Sequence, residues 1–225
     1  MHLPGESDVK KNKNLTLRVH GQIMQLMLNY EIIPGQRLVF VDLAKQLRVS
    51  RTPVNNALSI LAQEGYLDFV PNQGYSVRRL SRKDARELYQ IREVLELGFI
   101  DQAIHKMDEK DLLKIEKQKL AYEQAISDRV HRTLFVLDTE FHLAILNMAG
   151  NKTLSHRYKD VCQKIFLRFR TEELRIERIE QICLEHDNLF EAVSLKDNDR
   201  AKEIIQMHHE TSRESLFPII FGEKN

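Results

Sequence analysis

Four side chains that can bind a metal ion fall on the apolar stripes of three segments in the C-terminal half of the chain. Between residues 134 and 148 the apolar positions Leu134, Phe141, Ile145 and Met148 recur at helical spacing. Asp138 and His142, four apart, sit on the same stripe, one turn above the other. A second segment lines up Ile182, Cys183, His186, Leu189, Phe190 and Val193, and a third lines up Ala201, Ile204, Ile205, His208, Ser212 and Leu216. The pattern aims one carboxylate and three imidazoles into one interior. A single histidine on an apolar stripe is more often a hydrogen-bonded core residue than a ligand. Burying all four groups without partners would cost several kcal/mol, whereas a divalent ion that accepts N and O donors, such as Zn, Ni or Mn, would satisfy them together. His209 points about 100° away from His208 and is expected at the surface. His105, His131 and His156 lie at helix ends or on polar faces, where no role is assigned to them.

Two other uses of such a site are open to the same residues. A metal with a vacant position can activate water, as a hydrolase or lyase would require, although no glutamate stands beside the stripe in the manner of HExxH to act as base. Alternatively the ion is a structural staple alone.

The elements that position these groups are legible from breakers and caps. After Ser81 there is no proline until Pro218, and only Gly98 and Gly150 precede Gly222. This predicts an all-α region with helices over 81–106, 108–127, 131–149, 152–172, 175–195 and 197–216, folded as an antiparallel bundle in a domain spanning 81–221. Ser81 is placed to cap the first of them, directly after Arg79-Leu80.

The first eighty residues read differently. They hold ten Lys/Arg against six Asp/Glu, while the remainder holds 24 against 27. A basic module joined to a slightly acidic partner suits nucleic-acid binding. Residues 1–14 are polar and lysine-rich and are expected to be a disordered tail. From Leu15 the positions Leu15, Val19, Ile23, Leu26, Met27 and Tyr30 mark an amphipathic helix, which the turn at Pro34-Gly35 follows. A short helix over 41–47 and a third opening at Ser50 make a helix-turn-helix. In the third helix Pro53 is tolerated in the first turn, and Val54, Ala57, Leu58 and Leu61 face inward up to Gly65. Arg51, Thr52, Asn55, Asn56 and Gln63 lie on its other face, where a recognition helix meets bases and phosphates. Residues 67–70 and 75–78 are strand-like around Pro71-Asn72-Gln73-Gly74, a hairpin wing. A small packing module with no nucleic-acid partner would share the outline, but the complete ordered set is a more specific pattern. With Arg37, Lys45, Ser50, Gln73 and Gly74, the residues Arg51, Thr52, Asn55 and Asn56 form the expected DNA-contacting set over a domain spanning 15–79.

The chain holds no apolar run near the roughly 20 residues that span a bilayer, and its start, MHLPGESDVKKNKN, has no apolar stretch of the signal-peptide kind, so a cytoplasmic protein is expected. Cys162 and Cys183 are expected to be core thiols.

The motifs Pro34-Gly35-Gln36-Arg37-Leu38, Asp42-Leu43-Ala44, Val49-Ser50-Arg51-Thr52-Pro53-Val54, Leu61-Ala62-Gln63-Glu64-Gly65-Tyr66-Leu67 and Pro71-Asn72-Gln73-Gly74-Tyr75-Ser76-Val77 closely resemble the winged-helix domain of GntR-type regulators. The resemblance implies a bacterial repressor or activator acting as a homodimer on a short palindromic operator. Arg51 and Thr52 would then be at the DNA, and Gly74 would let the wing approach the minor groove. Two departures stand out. Asn55-Asn56 replaces the usual Arg-Glu, so asparagine-to-adenine pairing would shift the preferred base. Arg48 replaces the usual turn glycine, at a cost of about 1 kcal/mol if its backbone is left-handed.

The second half is similar to the helical ligand-sensing FCD domain of the FadR-type branch. The matching residues are Arg92 with Glu96, Asp138 with Phe141-His142, Ala149-Gly150-Asn151, Glu185-His186 with Ala192, Asp199, and Ala201 with His208. This likeness implies that Asp138, His142, His186 and His208 hold the ion. It also implies that Arg92 is a second clamp on a small carboxylate effector such as a sugar acid or hydroxy acid. The alternative for Arg92 is a salt bridge to Glu96 or Glu93 on its own helix.

Overall fold

The computed structural model describes residues 6–128, 133–169 and 175–222. The chain divides into two compact units, Met1–Leu80 and Ser81–Asn225. No helix among the described residues is long and apolar enough to cross a membrane.

The first unit orders its elements as α1 (Glu6–Leu28), β1 (Arg37–Leu38), α2 (Phe40–Gln46), α3 (Arg51–Gln63), β2 (Leu67–Val70) and β3 (Gly74–Val77). Val19, Ile23 and Met27 of α1 meet a core that also buries Val54, Ala57, Leu58 and Leu61 of α3, as their spacing predicts. The start of α1 corrects the sequence expectation, since residues 6–14, read as part of a disordered tail over 1–14, are helical. Lysine is a good helix former, no glycine or proline lies between Gly5 and Gly21, and extending an existing helix avoids the cost of nucleation. Residues 1–5 lie outside the described residues.

The wing is a three-stranded antiparallel sheet rather than a lone hairpin, in the order β1-β3-β2. Leu38 pairs with Tyr75 and Arg37 with Ser76. A two-residue strand has no period to read in a sequence, so β1 left no signal. Gly74 opens β3 at φ 86°, and a Cβ there would meet nothing within 4 Å, so the backbone angle alone demands glycine. Ser50 occupies the N-cap of α3 with an extended backbone, but its side chain makes no cap hydrogen bond.

The second unit is helical throughout: α4 (Arg82–Lys106), α5 (Glu109–Ser127), α6 (Leu134–Asn147), α7 (Lys152–Phe166), α8 (Ile176–Ser194) and α9 (Asn198–Phe221). Side-chain caps start four of them. Ser81 accepts from the Asp84 amide, Asn151 from that of Leu154, and Asp197 from that of Arg200. Asp108 and Asp111 form a reciprocal capping box. The helix α4 packs against α6, α7 and α9, α5 against α6 and α8, and α8 against α9. Two ends depart from expectation. The helix α7 stops at Phe166 rather than 172, and α9 runs past Pro218 to Phe221 before Gly222 turns left-handed at φ 72°. Pro218 sits in the last turn of α9, where its missing N–H costs one bond rather than a ladder of them. Cys162 is buried, whereas Cys183 is only half-buried at the edge of the cluster around Tyr122 and Ile179.

Arg48, between α2 and α3, does adopt the left-handed region, at φ 54°. Arg48→Gly should therefore stabilise the chain by about 0.5–1 kcal/mol, read as a rise in the denaturation midpoint. An unchanged or lower midpoint would show that the turn carries no such strain.

Candidate functional site

Asp138 and His142 project from consecutive turns of α6, His186 from the middle of α8 and His208 from the middle of α9. The antiparallel packing of these helices brings all four together as the apolar stripes predict. One potential ligand atom from each lies within 4.8 Å of every other, and all four residues are buried. The three imidazole Nε2 atoms converge on a single oxygen. Asp138 Oδ1 lies 3.2 Å from His186, 3.4 Å from His208 and 3.7 Å from His142. Donor atoms each about 2.0–2.2 Å from one divalent ion in a tetrahedral array lie about 3.4 Å from one another, close to the three Oδ1–Nε2 distances, and the wider pairs would draw in around the ion. His142 Nε2 is buried and has no hydrogen-bond partner among the described residues. An orphaned nitrogen aimed at a carboxylate that its neighbours already occupy is the feature that an ion would resolve.

A second ring of side chains fixes the outer face of the cluster. Arg92 on α4 donates from Nη2 to Asp138 Oδ2 at 2.8 Å, and from Nε to Glu96 Oε1 at 3.1 Å and Tyr158 Oη at 3.0 Å. Glu96 in turn lies 2.8 Å from His142 Nδ1 and 3.0 Å from His209 Nε2. On the far side His208 Nδ1 lies 2.7 Å from Glu185 Oε2, and Arg178 grips both oxygens of Glu185 at 2.7 and 3.1 Å. Two of the three histidines thus carry a carboxylate behind the ring, the arrangement that orients imidazole ligands. The third, His186, is held by its ring stacked on Phe141, with centroids 4.2 Å apart.

Electrostatics follow from burial and pairing. Burial pushes the His186 imidazolium down to about 4, so the ring is neutral at pH 7. Burial works against the charge on Asp138 as well, but Arg92 and the facing histidines outweigh it and hold the carboxyl well below its usual range. Glu96 is held low in the same way by His142, His209 and Arg92. His208 goes the other way, because its bonds to Asp138 and Glu185 overcome burial and raise it. Three buried carboxylates, Asp138, Glu96 and Glu185, face the two guanidiniums Arg92 and Arg178.

Sequence reasoning missed part of this shell. His209, expected at the surface, is fully buried, because α9 packs against both α4 and α8 and so buries two faces about 100° apart. The roles of Arg178, Tyr158 and Ser212 left no legible signal beyond the helical spacing of Arg178 and Glu185, seven apart on one face. For Arg92 the salt bridge to Glu96 forms, and the same guanidinium also reaches Asp138.

In the first unit Arg51, Thr52, Asn55 and Asn56 stand exposed along one face of α3, while Pro53 and Val54 are buried beneath it. Arg37, Lys45, Ser50 and Gln73 are exposed and Gly74 is half-buried. No ion pair holds Arg37, Lys45 or Arg51 among the described residues.

Comparisons with known proteins agree with both halves. Residues 15–77 match the family described as bacterial regulatory proteins, gntR family, and residues 87–211 match the FCD domain. The chain is similar to the uncharacterized HTH-type transcriptional regulator YdhC of Bacillus subtilis (strain 168), with 30% identity over 89% of this chain and 90% of that protein. It is also similar to the Nta operon transcriptional regulator of Aminobacter aminovorans, with 27% identity over 88% and 92%. Among solved structures, that of E. coli McbR/YncC shares the fold with a TM-score of 0.80 at 22% identity, covering 94% of this chain and 99% of that one.

The dependence of the two buried carboxylates on Arg92 makes a direct prediction. Arg92→Ala strands Asp138 and Glu96 without their guanidinium and should destabilise the chain by about 3–5 kcal/mol in denaturant unfolding. A loss under 1 kcal/mol, the scale of an exposed pair, would mean that the pair is not the buried anchor described above.

Proposed function

Because the chain belongs to the gntR family of bacterial regulatory proteins and carries an FCD domain, it is a DNA-binding transcription regulator and not an enzyme, and we propose that its helical unit senses a small organic acid at a divalent metal ion. FCD domains often bind metals. Asp138, His142, His186 and His208 would hold the ion here, with Zn, Ni and Mn all suited to a donor set of three nitrogens and one carboxylate. The observation that carries this reading is the convergence of three Nε2 atoms on Asp138 Oδ1 with His142 Nε2 left unpartnered. Bound there, the ion supplies positive charge that draws a carboxylate. Glu96 and Glu185 hold the rings of His142 and His208 in the orientation that points Nε2 inward. Arg92 keeps Asp138 ionised and adds its own charge to the adjoining cavity.

The N-terminal unit is the DNA reader. GntR regulators bind DNA operators and typically act as dimers, and we assign this chain a cytoplasmic homodimer on a palindromic operator. Arg51, Thr52, Asn55 and Asn56 on the exposed face of α3 suit contact with base edges, and Arg37, Lys45, Ser50, Gln73 and Gly74 suit contact with the backbone and the minor groove. Paired asparagines read adenine through N6 and N7, so the operator of this chain should favour A·T at the positions facing Asn55 and Asn56. Only residues 78–81 stand between β3 and α4, a connection short enough for a repacking of the bundle to be passed to the DNA-binding unit.

Elemental analysis of the purified chain, followed by thermal shifts with organic acids in the presence and absence of chelator, tests the sensor. Stoichiometric metal and an acid-dependent rise in Tm that chelation removes are expected. A chelator effect without any acid effect would make the ion a staple. His186→Ala should lose the metal, and stoichiometric metal in that variant would put the site elsewhere. Arg51→Ala should weaken operator binding by about 1–3 kcal/mol in a titration with DNA while leaving Tm unchanged, and unaltered affinity would remove Arg51 from the DNA face.

A further inference from the structure

One turn along the bundle from the four-residue cluster lies a cavity of about 30 Å3, room for one or two water molecules. Its position is set by helix spacing. Leu134 lies one turn before Asp138, Ile182 one turn before His186, and Ser212 one turn after His208 on the antiparallel α9. Asp138 and Arg92 line the cavity, so it is continuous with the cluster, and Leu134, Phe135, Ile182 and Leu216 give it apolar walls.

Two buried polar atoms on its lining residues lack a hydrogen-bond partner among the described residues. Tyr89 Oη and Arg178 Nε are without hydrogen-bond partners among the described residues, although Tyr89 is fully buried and Arg178 nearly so. Leaving a buried donor unsatisfied costs about 1–3 kcal/mol, and two on the wall of one cavity point to a missing acceptor. The charge of Arg178 is already spent, because both Glu185 oxygens bond its guanidinium and Ser212 takes a further N–H. Its Nε therefore offers a donor without surplus positive charge, and burial keeps the Tyr89 phenol protonated.

We propose that this cavity is a second subsite that reads a neutral oxygen, hydroxyl or carbonyl, at the far end of a short carboxylic acid, with Tyr89 and Arg178 as its donors. The inference rests on the acid-sensing reading above and adds the identity of the ligand's other end. Leu134, Ile182 and Ser212 stand one turn, about 5.4 Å along the axis, from the cluster, and a chain of about four carbons reaches that far from its carboxyl carbon, so four-carbon acids are the probes to use. The apolar walls fit the methylenes between. A chain of that length exceeds the cavity, so its entry requires the apolar walls to give way.

The test uses the metal-loaded full chain and four probes in calorimetric titrations: butyrate, 2-hydroxybutyrate, 4-hydroxybutyrate and succinate. 4-Hydroxybutyrate should bind at least about tenfold more tightly than butyrate, the scale of one buried hydrogen bond, with 2-hydroxybutyrate and succinate below it. In Tyr89→Phe, which keeps the ring and removes the hydroxyl, that preference should fall towards parity while metal content and butyrate affinity hold. Equal binding of butyrate and 4-hydroxybutyrate, succinate as the tightest probe, or an undiminished preference in Tyr89→Phe would each overturn the subsite and leave acid sensing intact. No response to any of the four would overturn both.

Discussion

Arg92 is the constraint around which the helical unit is organised. A guanidinium at 1% exposure survives only where its charge and its N–H groups are matched, and here Asp138 and Glu96 supply the charge and Tyr158 a further acceptor. Those partners come from α4, α6 and α7, so the pairing fixes the mutual register of three helices in a way that apolar packing, which tolerates sliding, does not. It also decides what the rest of the cluster can be. With Asp138 Oδ2 bound to Arg92, Oδ1 is left facing His142, His186 and His208, and with Glu96 beside it His142 is turned so that Nε2 points at the same oxygen.

The opposite side repeats the logic with different residues. Arg178, Glu185 and Ser212 lock α8 to α9 and hold His208 through Nδ1. The inner cluster is thus clamped between two buried ion pairs, one reaching α4 and one reaching the C-terminal half of α9. The DNA-binding unit follows a simpler rule, with a buried face that seats α3 on the core and an exposed face that carries no internal ion pair among the described residues.

Much of this was legible in the sequence because the period of a helix turns spacing into direction. Asp138, His142, His186 and His208 could be placed on inward stripes, and the structure brings them together. The recognition helix could be bounded by Ser50 and Gly65, and Arg48 could be singled out as strained. What escaped had physical causes. The two-residue strand β1 carries no period, residues 6–14 are helical through propagation rather than patterning, and His209 is buried because α9 has two packed faces where a single amphipathic stripe allows for one. Tyr89 and Arg178 could not be found at all, since an unsatisfied donor is a property of the surroundings and not of the residue.

The sharing of Asp138 has a consequence for how such a chain can change over time. One carboxylate serves Arg92 through one oxygen and three histidines through the other, so replacing it exposes four partners together, and replacing any partner leaves Asp138 short. Single substitutions in the cluster are therefore steps downhill in stability, whatever the cluster is used for. The ionic scaffold of such a domain is accordingly locked by mutual epistasis.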